Sequence, residues 1–150
     1  MSWAGKRQFL KNKIRSLLIK EQAPFSSVAP PKQSSISASQ IRDVQEKVRR
    51  WKDDKAYLHP DKTMGQVAKR MGTTSLLLYR YFQTCGIDFR TWRTQLRVKE
   101  AQTLLLAEPH TPASSIACRV GILDRSNFNR QFKAQTGETP EQWRKRQLSA

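Results

Sequence analysis

From residue 41 onward, apolar residues recur at helical spacing, and no stretch alternates with the period of two that a strand requires. Ile41, Val44, Val48 and Trp51 share one helical face, and Ser37 with Gln40 offers a capping box ahead of them. That helix is expected to continue toward residue 58, where "LHPDK" breaks it. Thr63 with Gln66 makes a second capping box, for a short helix through Met71. After "GTT" a helix runs from Ser75 to about Thr84, and Gly86 closes it. Residues 89–107 read as one long helix, with Trp92, Leu96 and Leu104 among its apolar positions, and "EPHTP" ends it. Thr111 is expected to cap the next helix, with Pro112 at its first position, where a missing N–H is harmless. That helix reaches about Val120. Gly121 then turns the chain, Asp124 caps a helix to about Gln135, Gly137 ends it, and a last helix follows Pro140. The fold class is therefore all-α, with about seven helices.

The first 39 residues differ. Residues 1–22 form a basic amphipathic segment: Phe9, Leu10, Ile14, Leu17 and Leu18 recur at helical spacing between Lys6, Arg7, Lys11, Lys13, Arg15 and Lys20. Residues 23–39, rich in Ser and Pro, read as a linker.

The helical part contains an internal repeat. "VAKRMG" (67–72) pairs with "IACRVG" (116–121), "LYRYF" (78–82) with "FNRQF" (128–132), and "GIDFRTWR" (86–93) with "GETPEQWR" (137–144). The offsets are 49, 50 and 51 residues, and both slips are expected to fall in turns. Each unit has a short helix carrying a small residue, Ala68 or Ala117, with Gly72 or Gly121 four residues later. A second helix then places hydrophobes at i and i+4, as Leu78/Phe82 and Phe128/Phe132. This is the layout of a helix-turn-helix.

Charge points the same way. The 150-residue chain has 28 Lys and Arg against 12 Asp and Glu, a formal net charge of +16. Such an excess favours polyanions. Two cysteines, Cys85 and Cys118, and two separated histidines, His59 and His110, give neither a disulfide framework nor a metal set. The expected location is the cytoplasm. The sequence offers no Ser/His/Asp set, carboxylate pair or phosphate loop, so neither an enzyme nor a cofactor is expected.

Placed at about 100° per residue, Phe128, Gln131 and Phe132 form the core side of the helix over 125–135. Ser126, Asn127, Asn129, Arg130 and Lys133 face outward, with Arg125 at the helix start. Arg can bond guanine bidentately, Asn can bond adenine and Lys can meet phosphate. Asp124 is assigned to capping rather than to cytosine. In 75–84, Leu78, Tyr81 and Phe82 point inward, and Leu76, Leu77, Tyr79, Arg80 and Gln83 outward. For the two leucines, contact with thymine methyls and packing on helix 41–58 or on a partner stay equally open. Trp51, Trp92 and Trp143 fit the core, as does Cys118. Arg93 and Arg144 suit either phosphate or a local partner.

The stretch "SIACRVGILDRSNFNRQFKAQTGETPEQWRKR" (115–146) resembles the second helix-turn-helix signature of the AraC/XylS family of bacterial transcription regulators: I-A-x-x-x-G, an aromatic-x-x-x-F-K segment, then G-x-x-P-x-x-aromatic-R. "LRVKEAQTLL" (96–105) matches the family's LR-x-x-x-A-x-x-LL stretch. The resemblance implies a DNA-binding domain over 40–146, with helix-turn-helix motifs at about 63–85 and 111–136 joined by a linker helix at about 89–107. It implies base-facing positions at Ser75, Leu76, Tyr79 and Arg80 in the first motif. In the second they would be Arg125, Ser126, Asn127, Asn129 and Arg130, with Lys133 alongside. Leu76 and Leu77 stand where the family has polar residues, Ile122 where it has Phe, and the stretch Phe82–Gly86 is one residue short. The implied function is sequence-specific binding of double-stranded DNA at an asymmetric site, each reading helix in one of two successive major grooves. RNA polymerase is a further partner that such a regulator implies. Alternatives are a nonspecific or architectural DNA binder, and a protein held to a membrane or partner through residues 6–20. Forty residues ahead of the domain are too few for an effector or dimerisation domain, so no small-molecule site is expected.

Overall fold

The computed structural model describes residues 36–150. The basic amphipathic segment and residues 23–35 of the expected linker lie outside the described residues. Among those described, seven α-helices and no strand occur: α1 (Ala38–Asp53), α2 (Met64–Met71), α3 (Ser75–Cys85), α4 (Phe89–Ala107), α5 (Ala113–Arg119), α6 (Arg125–Thr136) and α7 (Pro140–Ser149). A short 3-10 turn covers Ala56–Leu58. The chain divides into two compact units. One joins the segment up to Trp51 with Lys62–Asp88, and the other joins Lys52–Asp61 with Phe89–Ala150.

In the first unit, Ser37 N–H donates to Gln40 Oε1 (3.0 Å) and Gln40 N–H to Ser37 Oγ (3.2 Å). This reciprocal pair satisfies two backbone donors that a helix start leaves orphaned. It sets the phase of α1 so that Ile41, Val44, Val48 and Trp51 are buried. The helix stops at Asp53, short of the expected residue 58. Lys55 adopts a left-handed backbone (φ 54), which cannot continue a right-handed helix. The 3-10 turn that follows belongs to the second unit, where Leu58 packs on the core. Tertiary packing thus redirects a sequence that would otherwise prolong the helix.

α2 starts at the Thr63–Gln66 capping box, and Thr74 caps α3 by accepting from Leu77 N–H. α3 buries Leu78, Tyr81, Phe82 and Cys85. Lys47 Nζ donates to Gly72 O at 2.9 Å, tying α1 to the turn between α2 and α3.

In the second unit Val98, Ala101 and Leu105 of α4 join Ile116, Ala117, Val120, Ile122, Phe128, Phe132 and Trp143 in one core. Phe132 stacks edge-to-face on both Phe128 and Trp143, each at 5.8 Å between ring centroids. Two local expectations fail here. Thr111 does not cap α5: its hydroxyl donates to Glu108 Oε1 instead (3.3 Å), and Pro112 occupies the cap position with no side-chain bond. Cys118 is exposed rather than core, because α5, just under two turns long, buries Ala113, Ile116 and Ala117 instead. α7 begins at a capping box of Thr139 and Gln142, a pattern that sequence reading passed over in favour of Pro140.

The three tryptophans assigned to the core are buried. Arg93 and Arg144, the arginines of the repeated GxxxxxWR pattern, resolve to local partners. Arg93 Nη1 donates to Asp61 O (2.9 Å), and its guanidinium lies 5.3 Å from the Phe89 ring centroid. Arg144 bonds the carbonyls of Leu105 (3.0 Å), Glu108 (3.4 Å) and Thr111 (2.7 Å). It thereby holds the end of α4 and the chain entering α5. Arg144→Ala is expected to cost about 1–3 kcal/mol through the loss of these charge-assisted hydrogen bonds, read as a lower urea midpoint by circular dichroism. Arg144→Lys should recover little, since an ammonium lacks the planar fork.

Candidate nucleic-acid interface

The two repeats fold as copies down to their turn hydrogen bonds. Thr73 N–H donates to Ala68 O at 2.9 Å, and Ile122 N–H to Ala117 O at 2.9 Å. Gly72 N–H donates to Lys69 O at 3.2 Å, and Gly121 N–H to Cys118 O at 3.1 Å. Both glycines are left-handed, with φ of 81 and 85, a conformation that β-carbon sterics disfavour for other residues. Thr74 and Asp124 then cap α3 and α6 in the same way, Asp124 Oδ1 accepting from Asn127 N–H at 2.7 Å. Asp124 is therefore engaged as a cap, and the two residues that follow it, Arg125 and Ser126, are exposed.

The repeat is not identical. The slip between 49 and 50 is Leu123, an extra, exposed residue in the second turn. The slip between 50 and 51 falls inside a helix, not in a turn as expected. α3 has 11 residues and α6 has 12, each ended by a left-handed glycine, Gly86 or Gly137. The missing residue thus shortens α3 by less than a third of a turn, after Phe82 and beyond the first two turns that carry Ser75, Leu76, Tyr79 and Arg80.

On α6 the outermost side chains are Ser126, Arg130 and Lys133, all exposed and spaced i, i+4, i+7. They lie opposite buried Phe128 and Phe132. Asn127 sits at one edge. Its Oδ1 accepts from Arg130 Nη2 and Gln131 Nε2, both at 2.8 Å, so this carbonyl is engaged along the helix. Arg125 and Asn129 sit at the other edge. They line an open cleft of about 180 Å³ with Ala113, Ser114, Thr139, Pro140 and Glu141. The sequence reading missed Ser114 and Glu141 because they come from α5 and α7, far from α6 along the chain.

On α3 Ser75, Leu76 and Tyr79 are exposed and Arg80 is half-buried. Gln83, exposed one turn after Tyr79, completes the stripe. Leu77 is half-buried, so the two adjacent leucines have different surroundings.

The electrostatics favour an anion. Residues 62–85 contain Lys62, Lys69, Arg70 and Arg80 and no carboxylate. Residues 111–137 contain Arg119, Arg125, Arg130 and Lys133 with only Asp124 opposed. Arg119 is neutralised by Glu108, bonding both its oxygens (2.7 and 2.6 Å), and these bonds hold the Glu108 carboxyl below the usual carboxylate range. Among the described residues no ion pair involves Arg125, Arg130 or Lys133. The described residues contain no group of His, Cys, Asp and Glu suited to a metal ion, and none of their helices is long and apolar enough to cross a membrane.

Comparison with known proteins identifies the family of the helix-turn-helix domain. The sequence pattern of a helix-turn-helix domain family matches residues 56–146. The chain is 30% identical over 135 residues to the arabinose operon regulatory protein of Salmonella typhimurium, which is 89% of this chain and 44% of that one. To the arabinose operon regulatory protein of Escherichia coli it is 34% identical over 70 residues, covering 47% of this chain and 24% of the relative. It spans less than half the length of either. A solved structure, the C-terminal domain of AraT, a response regulator from Geobacillus stearothermophilus, superposes with a TM-score of 0.53 at 28% identity. That match covers 75% of this chain and 88% of that domain.

Proposed function

Because the chain belongs to the AraC/XylS family of helix-turn-helix transcription regulators, we propose that it binds one asymmetric DNA site sequence-specifically, with α3 and α6 each entering a major groove. The observation that carries this reading is the duplicated turn and helix cap, each followed by a helix with one side buried and the other exposed. Two direct copies on one chain make an asymmetric footprint, whereas a two-fold dimer would match a palindrome. α4, which joins the copies, has 19 residues and is about 28 Å long at 1.5 Å per residue. Successive major grooves on one side of DNA lie roughly 34 Å apart, and a connection shorter than that favours a bent site.

Within α6, Arg130 and Ser126 meet base edges, and Lys133 meets the backbone. Arg125 and Asn129, at the edge beside α5 and α7, position the helix against the flanking strand. On α3, Ser75 and Arg80 flank the stripe formed by Leu76 and Tyr79. Asn127 enters as a brace for Arg130 rather than as an adenine reader.

The test is Arg130→Ala on duplexes that differ by one base pair at a time. If Arg130 reads guanine, affinity falls by about 1–3 kcal/mol and selectivity relaxes at one position. If it holds phosphate, binding weakens evenly and the slope of log affinity against log salt falls by about one. A variant equal to the parent in both respects removes Arg130 from the interface. For the parent, affinity should fall steeply with salt, and a flat response contradicts DNA as the main partner.

A further inference from the structure

The outward face of α3 does not match that of α6. Leu76 and Tyr79 are 54% and 56% exposed. With Arg80 and Gln83 they form one continuous stripe at i, i+3, i+4 and i+7. The stripe lies opposite buried Leu78, Tyr81, Phe82 and Cys85, so no rotation of α3 could cover it without exposing the core. At the corresponding places α6 carries Ser126, Asn129, Arg130 and Lys133. Arginine is kept, while the positions beside it change from polar to apolar. Leu76 is therefore not committed to packing on α1, which leaves thymine methyls or a partner as its occupant.

The surrounding charge selects the occupant. The stripe sits in a motif with four cations and no carboxylate, which suits a polyanion. The major groove of DNA offers one apolar group at its base edges, the 5-methyl of thymine. A leucine and an aromatic ring on the first two turns of a reading helix are complementary to such methyls, and Arg80 beside them is placed for phosphate.

We propose that α3 reads 5-methyl groups of pyrimidines in the major groove through Leu76 and Tyr79, so that the two motifs use different chemistry: apolar contact in the first, hydrogen bonding in the second. The inference rests on the DNA-binding reading above and adds to it the base feature that one helix recognises. Because Leu76 and Tyr79 are exposed, their replacement leaves the buried face of α3 untouched.

The experiment uses the full chain and the duplex that it selects from a random pool, resynthesised with deoxyuridine in place of each thymine in turn. One or two adjacent replacements should weaken binding about fourfold each, the loss for one buried methyl, and the rest should have no effect. Leu76→Ala should bind the thymine and uridine duplexes equally at those positions, with an unchanged circular dichroism melt. Uridine without effect at every position overturns the proposal, as does a Leu76→Ala variant that still distinguishes thymine from uridine there. Salt-dependent, sequence-selective binding without methyl dependence rejects this proposal alone. Equal binding to selected and unrelated duplexes rejects the sequence-specific reading beneath it as well.

Discussion

Gly121→Ala is expected to destabilise the second unit by about 3 kcal/mol or more, whereas Gly72→Ala, the same position in the first motif, should cost only about 1–2 kcal/mol. Both glycines are left-handed, so both alanines meet the backbone strain of that region. They differ in what surrounds them. A β-carbon on Gly72 would meet nothing within 4 Å. A β-carbon on Gly121 would lie 2.6 Å from the carbonyl oxygen of Leu58 and 3.2 Å from the Arg97 guanidinium. The contact is with backbone, which cannot swing aside as a flexible side-chain end can, and overpacking of this kind adds about 1–3 kcal/mol. Denaturant unfolding of the two full-length variants measures the difference. Equal losses would contradict the close packing of residues 52–61 against the second motif.

The second large effect is expected at Arg97, 7% exposed and the sole buried charged side chain among the described residues. Its Nε donates to Tyr57 O at 2.6 Å and its Nη2 to His59 O at 2.7 Å. These bonds fasten the 3-10 turn and the residue after it to α4, directly beneath Gly121. Burial lowers the guanidinium pKa to about 10, so it remains cationic at neutral pH and its hydrogen bonds remain charge-assisted. Arg97→Ala removes both donors to these carbonyls and opens a void. A loss of roughly 3–6 kcal/mol is expected, from two hydrogen bonds to a charged group at about 1.5–3 kcal/mol each. Arg97→Lys should recover only part, because a point charge cannot serve two carbonyls in the guanidinium's geometry. Thermal unfolding reads both variants, and a wild-type Tm for Arg97→Ala would remove the strap from the account.

What the sequence made legible follows from the range of the interactions. Ser37, Thr63 and Asp124 cap their helices through bonds to residues three positions on, and the turn glycines act within four residues. Both are written in adjacent letters. The buried faces of α1, α3 and α6 follow from a 3.6-residue period. The missed features depend on residues distant in the chain. Arg144 bonds carbonyls 33 to 39 positions away, and Arg97 bonds carbonyls 38 and 40 positions away. No local pattern distinguishes these arginines from ones that hold phosphate. Thr111 had the right letter for a cap, but Glu108 claims its hydroxyl. The same limit applies to the proposed interface. Periodicity placed Asn127 on the outward arc of α6, yet its carbonyl is engaged by Arg130 and Gln131, which only coordinates reveal.

The central claim is that two direct copies of one unit read one asymmetric DNA site with different chemistry. Selection of bound duplexes from a random pool by the full chain, with the contacts then mapped by footprinting, tests it most directly. The account expects an enriched sequence without two-fold symmetry, protected in two adjacent major grooves, one of which loses protection in Arg130→Ala. A palindromic consensus bound by a single chain, or a pool that shows no enrichment, would contradict it.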